Sequence, residues 1–441
     1  MWRTLKRLPL TKRPSGEGVD LPNVDTLILL RPTQSALLFQ QQIGRGLRLS
    51  PGKESCLVLD FVGQHRADFR FDQLLSSITG LTRAALLDAV ENGFGSLPIG
   101  CHIQLQRQTR EQVLRSLRSL TQQSWRRLGA ELRSYATLRR DKSVRLSDFL
   151  YDQRVSLDEV YRSSTPSGWT SLKYSAGILQ GVDGDQESQL SRRFGDLLHV
   201  DDPSQLRVMR MVGEQRRAYQ PATELDARRA QMLTYQVDSS RGALPFKSFL
   251  DRIANSPNCA SELVELTDVL AARSRVHERP IPLAEDVPLM LHGAYRVREI
   301  LTAFGVMTAN KRTPFQAGVL GLHDRKTELL FVTLDKSEGF HDRIAYRDYA
   351  ISPQQFHWQT QNAAGPDTVG GCRYIDSASN GWTFQLFVRV DKSSPYRACG
   401  PAHIDGPDDI TGDRPMSIVW RLRVPLPSEL FRDFSVLRAQ G

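Results

Sequence analysis

Cysteine is scarce in this chain, with five in 441 residues at positions 56, 101, 259, 372 and 399. They are scattered, odd in number and form no C-x-x-C pair, which argues against a zinc ribbon or a disulfide framework and fits a reduced, cytoplasmic protein with no metal site. Long apolar runs are also missing. None approaches the length of a membrane span, so no membrane partner is expected. The N-terminal stretch Met1-Trp2-Arg3-Thr4-Leu5-Lys6-Arg7-Leu8-Pro9 is basic but has no sustained apolar core, so it is not a secretory signal. None of the nine histidines has a lysine two residues on, and the H-x-K chemistry of phospholipase-D-type nucleases cannot be assembled. No repeat of fixed period and no low-complexity tract is visible.

What is present is an ordinary globular composition, 40% hydrophobic and 24% charged, in a chain long enough for two or three domains. The net charge of +9 is unevenly spread. Between Arg107 and Arg145 eleven Lys/Arg stand against three Asp/Glu. The same segment carries Val113, Leu117, Leu120, Trp125, Leu128, Leu132, Tyr135 and Leu138 at near-helical spacing, which predicts one or two amphipathic helices with a basic outer face. Such a face, with Arg126 and Arg127 at its centre, suits a phosphate backbone through counterion release, and equally suits plain solvation.

The chain changes character twice. Thr26–Leu30 and Cys56–Val62 are short apolar strands, separated by a break at Arg31-Pro32-Thr33 and a helix over Ala36–Gln42. From about Gln73 to Arg279 the pattern is mainly helical, over 74–79, 83–92, 104–140, 156–162, 190–198, 227–236 and 262–274. Asp201-Asp202-Pro203 and Arg279-Pro280-Ile281-Pro282 act as punctuation. After about Pro288 the period becomes two. Trp382, Phe384, Leu386, Val388 and Val390 share one strand face, Met416–Val424 alternates with its arginines outward, Glu328–Leu334 is a third strand, and a helix over Ala294–Phe304 opens the region.

Gln41-Gln42-Ile43-Gly44-Arg45-Gly46-Leu47-Arg48, preceded by Glu17-Gly18-Val19-Asp20-Leu21-Pro22-Asn23-Val24-Asp25, resembles motifs V and VI of superfamily II, DEAD/DEAH-like helicases. The resemblance implies that Gly44, Arg45 and Arg48 open a helix facing ATP held by another domain. Arg45 and Arg48 would be the catalytic phosphate contacts, because charge that builds on the γ-phosphate needs a guanidinium from outside the phosphate cradle. Gly18, Asp20, Gln41 and Gly44 would couple nucleotide to DNA. The rest of such a motor is missing. Pro51-Gly52-Lys53-Glu54-Ser55 lacks the phosphate-loop glycine at the required spacing and has Glu54 in the Ser/Thr place. Asp158-Glu159-Val160-Tyr161 is superficially similar to a DExx box but falls in a helical stretch, which predicts a surface helix. ATP and Mg²⁺ are therefore expected only with a complete motor, and the chain alone is expected to be inactive. Residues 1–16, with two prolines and five basic residues, make a poor strand and are expected to be an unrelated leader left by a lost upstream frame.

The segments His292–Arg296, Lys336–Gly339, Tyr346–Tyr349, Phe356–Gln361, Leu386–Arg389 and Gly412–Met416 resemble the domain of unknown function that ends bacterial nuclease–helicase fusion proteins. Gly100–Leu105 and Leu198–Asp202 fit the same proteins, some of which are ATP-dependent restriction enzymes attacking DNA with modified cytosine. Tyr346, Tyr349, His357, Trp358, Gln359 and Gln361 put aromatic and amide side chains in one short segment, the mixture an extruded base requires. For Trp358 core packing stands equally open, and Arg347-Asp348 has the look of a structural ion pair.

The expected architecture is α/β + α + β. An atypical leader (1–16) precedes a partial RecA-like helicase C-terminal domain (17–72), a helical connector (73–280) and a β-rich DNA-reading domain (288–434). The function expected is the C-terminal fragment of an ATP-dependent DNA helicase or translocase of a restriction or DNA-defence system. DNA would be its partner, together with a separately encoded N-terminal nuclease–helicase half. A non-enzymatic DNA-binding protein and an inactive truncated product are the alternatives.

Overall fold

A computed structural model describes residues 23–30, 36–61, 71–94, 97, 100–121, 125–139, 144–180, 185–238, 245–307, 318–334, 348–361 and 364–435. Gly18, Asp20, Tyr346, Arg347 and the 1–16 leader lie outside them. The chain divides into two compact units, one reaching to Leu128 and including Phe149–Glu159, the other made of Gly129–Asp148 and Val160 onward.

The first unit begins with β1 (Thr26–Leu29), α1 (Ala36–Gly46) and β2 (Leu57–Asp60), in which the two strands pair in parallel, Thr26 beside Leu57 and Ile28 beside Leu59. Gly46 fixes how closely the helix meets them, because a Cβ there would stand 2.5 Å from both Cys56 Sγ and Leu27 Cδ1. The α1 side of the pair is thus the Leu27 side. The opposite face carries Ile28 (43% exposed), Leu30 (69%), Leu57 (55%), Leu59 (39%) and Phe61 (56%). Among the described residues no third strand pairs with β1 or β2. Next come α2 (Phe71–Thr79), α3 (Arg83–Asn92) and α4 (Arg107–Thr121), whose Leu74, Leu75, Leu86, Val90, Val113 and Leu117 form a small core with Phe39 of α1. Arg83, fully buried, donates to the Gln153 carbonyl at 2.9 Å and lies 3.6 Å from Glu159, which explains why 149–159 belongs to this unit.

The division runs through α5 (Trp125–Leu138) and α6 (Leu146–Gln153). The amphipathic stripe read over 104–140 is correct inside α4 and α5, where Val113, Leu117, Leu128, Leu132 and Tyr135 are buried, but Leu138 is 85% exposed. After α7 (Leu157–Val160), the second unit contains α8 (Trp169–Ser175), α9 (Asp185–Arg193), α10 (Pro203–Gln215), α11 (Glu224–Val237), α12 (Phe246–Asn255) and α13 (Pro257–Arg273). Asp202 caps α10, accepting from the Ser204 and Gln205 amides at 2.8 and 3.2 Å with Pro203 in the first turn. The Asp-Asp-Pro punctuation is therefore a helix start. Gly213 lets α10 cross α13 closely, since a Cβ would lie 2.8 Å from Val264 Cγ2. The expectation of a surface helix at 158–161 holds for exposed Asp158 only, because Val160 and Tyr161 are buried.

The remaining elements are β3 (Ala294–Tyr295), α14 (Val297–Ala303), β4 (Val319–Leu322), β5 (Thr327–Thr333), β6 (Tyr349–Ser352), β7 (Gln355–Gln359), α15 (Val369–Ile375), β8 (Thr383–Arg389), β9 (Tyr396–His403), β10 (Ile410–Thr411), β11 (Ser417–Leu422) and α16 (Ser428–Phe434). They build an open mixed sheet in the order β4-β5-β8-β9-β11-β7-β6, with β3 on β9 and β10 on β11. Among its described strands β5 and β8 pair in parallel and the other pairs are antiparallel. The period-two reading of 382–390 places Phe384, Leu386 and Val388 in one core with Trp358, Tyr374 and Trp420. The other side of β8 is also buried. Phe387 joins Leu329, Phe331, Ile300, Phe304 and Met232 of α11 in a second core. The helices and the sheet thus share a hydrophobic core, and the prolines at 280 and 282 mark a turn within one packed body.

Candidate functional site

The motif arginines close a helix, where the resemblance implies that they open one. Arg45 stands in the last turn of α1 and Arg48 just past its end. The physical reason is local. The apolar spacing of α1 continues through Ile43, a cation in the last turn suits the helix dipole, and Pro51-Gly52, with Gly52 at φ +78, turns the chain toward β2. Lys53 then donates its ammonium to the carbonyls of Gly46 and, at 2.9 Å, of Arg48. It caps the helix end and holds the turn that presents Arg48. Arg45 is half-buried, while Gln41, Gly44 and Arg48 are exposed. With Lys53 engaged in this way and Glu54 exposed beside it, the 51–55 turn is a helix-closing turn.

In the basic segment the charges divide by role. Arg107 pairs with Glu111, Arg118 with Glu91 and Arg139 with Asp148. Arg110 donates to the Val90 carbonyl at 2.9 Å and Arg133 to that of Ala176 at 2.8 Å. Arg115, Arg126, Arg127 and Arg145 are exposed. Arg126 and Arg127 are adjacent in the first turn of α5, beside buried Trp125.

The aromatic–amide cluster of the sheet is split by the pleat. Phe356 and Trp358 point inward, and Trp358, 5% exposed, packs edge-on against Tyr374 at 5.6 Å and beside Trp420 at 6.3 Å. Trp358 is a core residue. Gln355, His357 and Gln359 point outward. On that face Tyr349 stacks on His357, with ring centroids 5.1 Å apart and planes at 22°. The Gln359 amide donates to Ser417 Oγ at 3.1 Å, and its backbone N–H donates to buried Asp348 at 2.9 Å. Gln361 is exposed beyond the strand end. The structure therefore brings Tyr349, His357 and Gln359 together and sends Trp358 to the opposite side. Nearness in sequence hides this division, although the alternation of β7 carries it. Nearness also leaves out Arg421 of β11, which shares the outward face through its register with Gln355.

Buried polar groups that no motif announced hold the second unit together. Glu262 of α13 is fully buried and accepts from Tyr161 Oη (2.9 Å), the amides of Trp169 (2.8 Å) and Thr170 (3.0 Å), and Ser191 Oγ (2.7 Å). Burial and the adjacent Glu262 carboxylate raise the Tyr161 hydroxyl well above its usual pKa, so it remains a donor. Glu299 of α14 bonds His199 Nε2 at 2.6 Å, with both side chains nearly buried. Tyr295 donates to Asp202 at 2.6 Å, and Asp201 takes the Ala294 amide at 2.8 Å and the Arg397 guanidinium. These contacts tie the helices to the sheet. His292 stands beside them, its pKa lowered to about 4 by burial and then by Arg279 and Arg397. Inside the sheet, buried Glu328 accepts from Tyr374 at 2.6 Å and from Arg373, whose guanidinium lies 3.9 Å over the Trp382 ring. Among the described residues no group of three or more His, Cys, Asp or Glu is arranged to hold a metal, and no helix is long and apolar enough to cross a membrane.

Residues 289–434 match a family model described as a domain of unknown function, DUF3427. A stretch of 47 residues, 11% of this chain, is 53% identical to the "Putative ATP-dependent helicase IRC3" of Saccharomyces cerevisiae and covers 7% of that protein. Another of 64 residues, 14% of this chain, is 47% identical to the "Putative mitochondrial ATP-dependent helicase irc3" of Schizosaccharomyces pombe and covers 11% of it. The chain thus spans only a small part of the length of the curated relatives it matches. Over short stretches the chain is thus similar to proteins described as putative helicases, and over 289–434 to a domain of unknown function.

Proposed function

We propose that this chain is the C-terminal part of a superfamily II-type DNA helicase or translocase serving a cytoplasmic restriction or DNA-defence system. The observation that carries the reading is the parallel β1–α1–β2 unit, read as part of a RecA-like domain, with Arg45 and Arg48 on a turn clamped by Lys53. That turn offers two guanidiniums and no phosphate cradle. The arginines serve a nucleotide held by another motor domain, and ATP and Mg²⁺ belong to that assembly. DNA phosphates bind to the exposed arginines around Arg126 and Arg127, and bases meet the outward residues of β6 and β7. A preference for modified cytosine rests on the family resemblance and falls to Tyr349, His357, Gln359 and Gln361, since Trp358 is core.

The test is direct. Purified chain shows no DNA-stimulated ATPase. It binds DNA with steep salt dependence, and reversing Arg126 and Arg127 lowers the slope of log affinity against log salt by about two. ATP turnover abolished by Arg48→Ala, or an unchanged slope, overturns the respective half of the reading. A competition titration with matched modified and unmodified single-stranded oligonucleotides tests the cytosine preference. A purely DNA-binding protein is favoured instead if adding the motor half restores no ATPase.

A further inference from the structure

We infer that the outward face of β6, β7 and β11 is a stacking platform for single-stranded DNA, which rests on the DNA-binding reading above and names the form of DNA this face takes. The register sets the face. His357 of β7 lies between Tyr349 of β6 and Val419 of β11, Gln359 lies beside Ser417, and Gln355 beside Arg421. The solvated side of an antiparallel sheet is usually a field of charged and small polar residues. Here its middle row is two stacked rings and a valine, flanked on one side by Gln359 and on the other by Gln355 and Arg421.

Ring faces stack on bases, amides read base edges, and a guanidinium does either. Outward residues along one strand stand about 6.7 Å apart, close to two base-stacking steps of ~3.4 Å. The carboxylates beside the face are paired in place, since Arg421 lies 3.0 Å from Asp405 and 4.0 Å from Asp409. With its amide oxygen turned to the guanidinium, Gln355 accepts from Arg421 at 2.7 Å and orients it. A flipped base needs an enclosed slot with a wall on each side. A sheet face supplies one wall only. Stacked duplex bases present edges and no open ring face, so the chemistry that fits is a stretch of unpaired nucleotides laid across the strands.

The experiment is fluorescence anisotropy of the full chain with a labelled single-stranded oligonucleotide of about twelve nucleotides and with the corresponding duplex. The Tyr349→Ala/His357→Ala double variant should lose about five- to a hundredfold in single-strand affinity while duplex affinity and thermal melting stay near wild type. Val419→Glu, which keeps both rings and adds a carboxylate between the strands, should give the same selective loss and covers the case in which the double variant misfolds. Unchanged single-strand affinity in both variants overturns the inference, as does an equal loss on duplex. Either result leaves the DNA-binding reading standing. A wild-type chain that binds neither probe overturns both.

Discussion

The β1–α1–β2 unit and the α8–α13 helices treat exposed and buried groups in opposite ways. In the first, a parallel pair of strands, an arrangement normally covered on both faces, leaves Ile28, Leu30, Leu57, Leu59 and Phe61 between 39% and 69% exposed. In the second, a full carboxylate, Glu262, lies at zero exposure with every contact satisfied by hydroxyls and helix-start amides. Among the described residues, ten of the fifteen exposed large hydrophobics fall in the first compact unit, the smaller of the two. The comparison teaches that apolar groups are covered more fully from Val160 onward than in the first unit. Among the described residues this sheet has two strands, which is marginal by itself, so the arginine turn sits on a weakly self-supporting part of the first unit.

The largest expected effect comes from cutting the second unit at the boundary that the sequence suggests. Residues 288–435 alone should fail to fold, because removing α11 exposes the core of Leu329, Phe331 and Phe387 and takes His199, Asp202 and Asp201 away from Glu299, Tyr295 and Arg397. Residues 160–435 should unfold in one cooperative transition. Urea denaturation followed by tryptophan fluorescence distinguishes the two, and a stable 288–435 fragment would mean that the sheet is a separate module after all.

Next in size is Glu262→Ala. It strips the acceptor from two buried amides and two hydroxyls and should cost on the order of 3–5 kcal/mol in the transition of the second unit. Glu262→Gln should lie between it and wild type, since one oxygen still accepts. Equal stability of the alanine variant would show that water replaces the carboxylate. A smaller effect belongs to the first unit. Gly46→Ala should cost about 1–3 kcal/mol there by overpacking against Leu27 and Cys56, with the second unit's transition unmoved.

The sequence displays the periodic parts of this architecture well. The two apolar strands flanking α1, the stripe of α4 and α5, and the inward set of β8 all follow from spacing alone. The partition of β7 follows too once its alternation is weighed above the nearness of its aromatics, since the period that buries Phe356 also buries Trp358 and frees His357 and Gln359. What spacing does not supply is long-range polar pairing. Glu262 meets Tyr161 and Ser191 across 101 and 71 residues, and Asp202 meets Tyr295 across 93. No local pattern marks such partners. The same limit applies to Lys53, whose place in a near-miss phosphate loop conceals a capping role that depends on the path of the turn.

Native-state hydrogen exchange of the chain by itself tests the contrast most directly. Amides of Thr26–Leu29 and Leu57–Asp60 should open with free energies of at most a few kcal/mol, whereas those of α13 and β8 should reach the global value, on the order of 5–15 kcal/mol. Protection in β1 and β2 equal to that of α13 would contradict the account, because it would show that the open apolar face costs the first unit nothing.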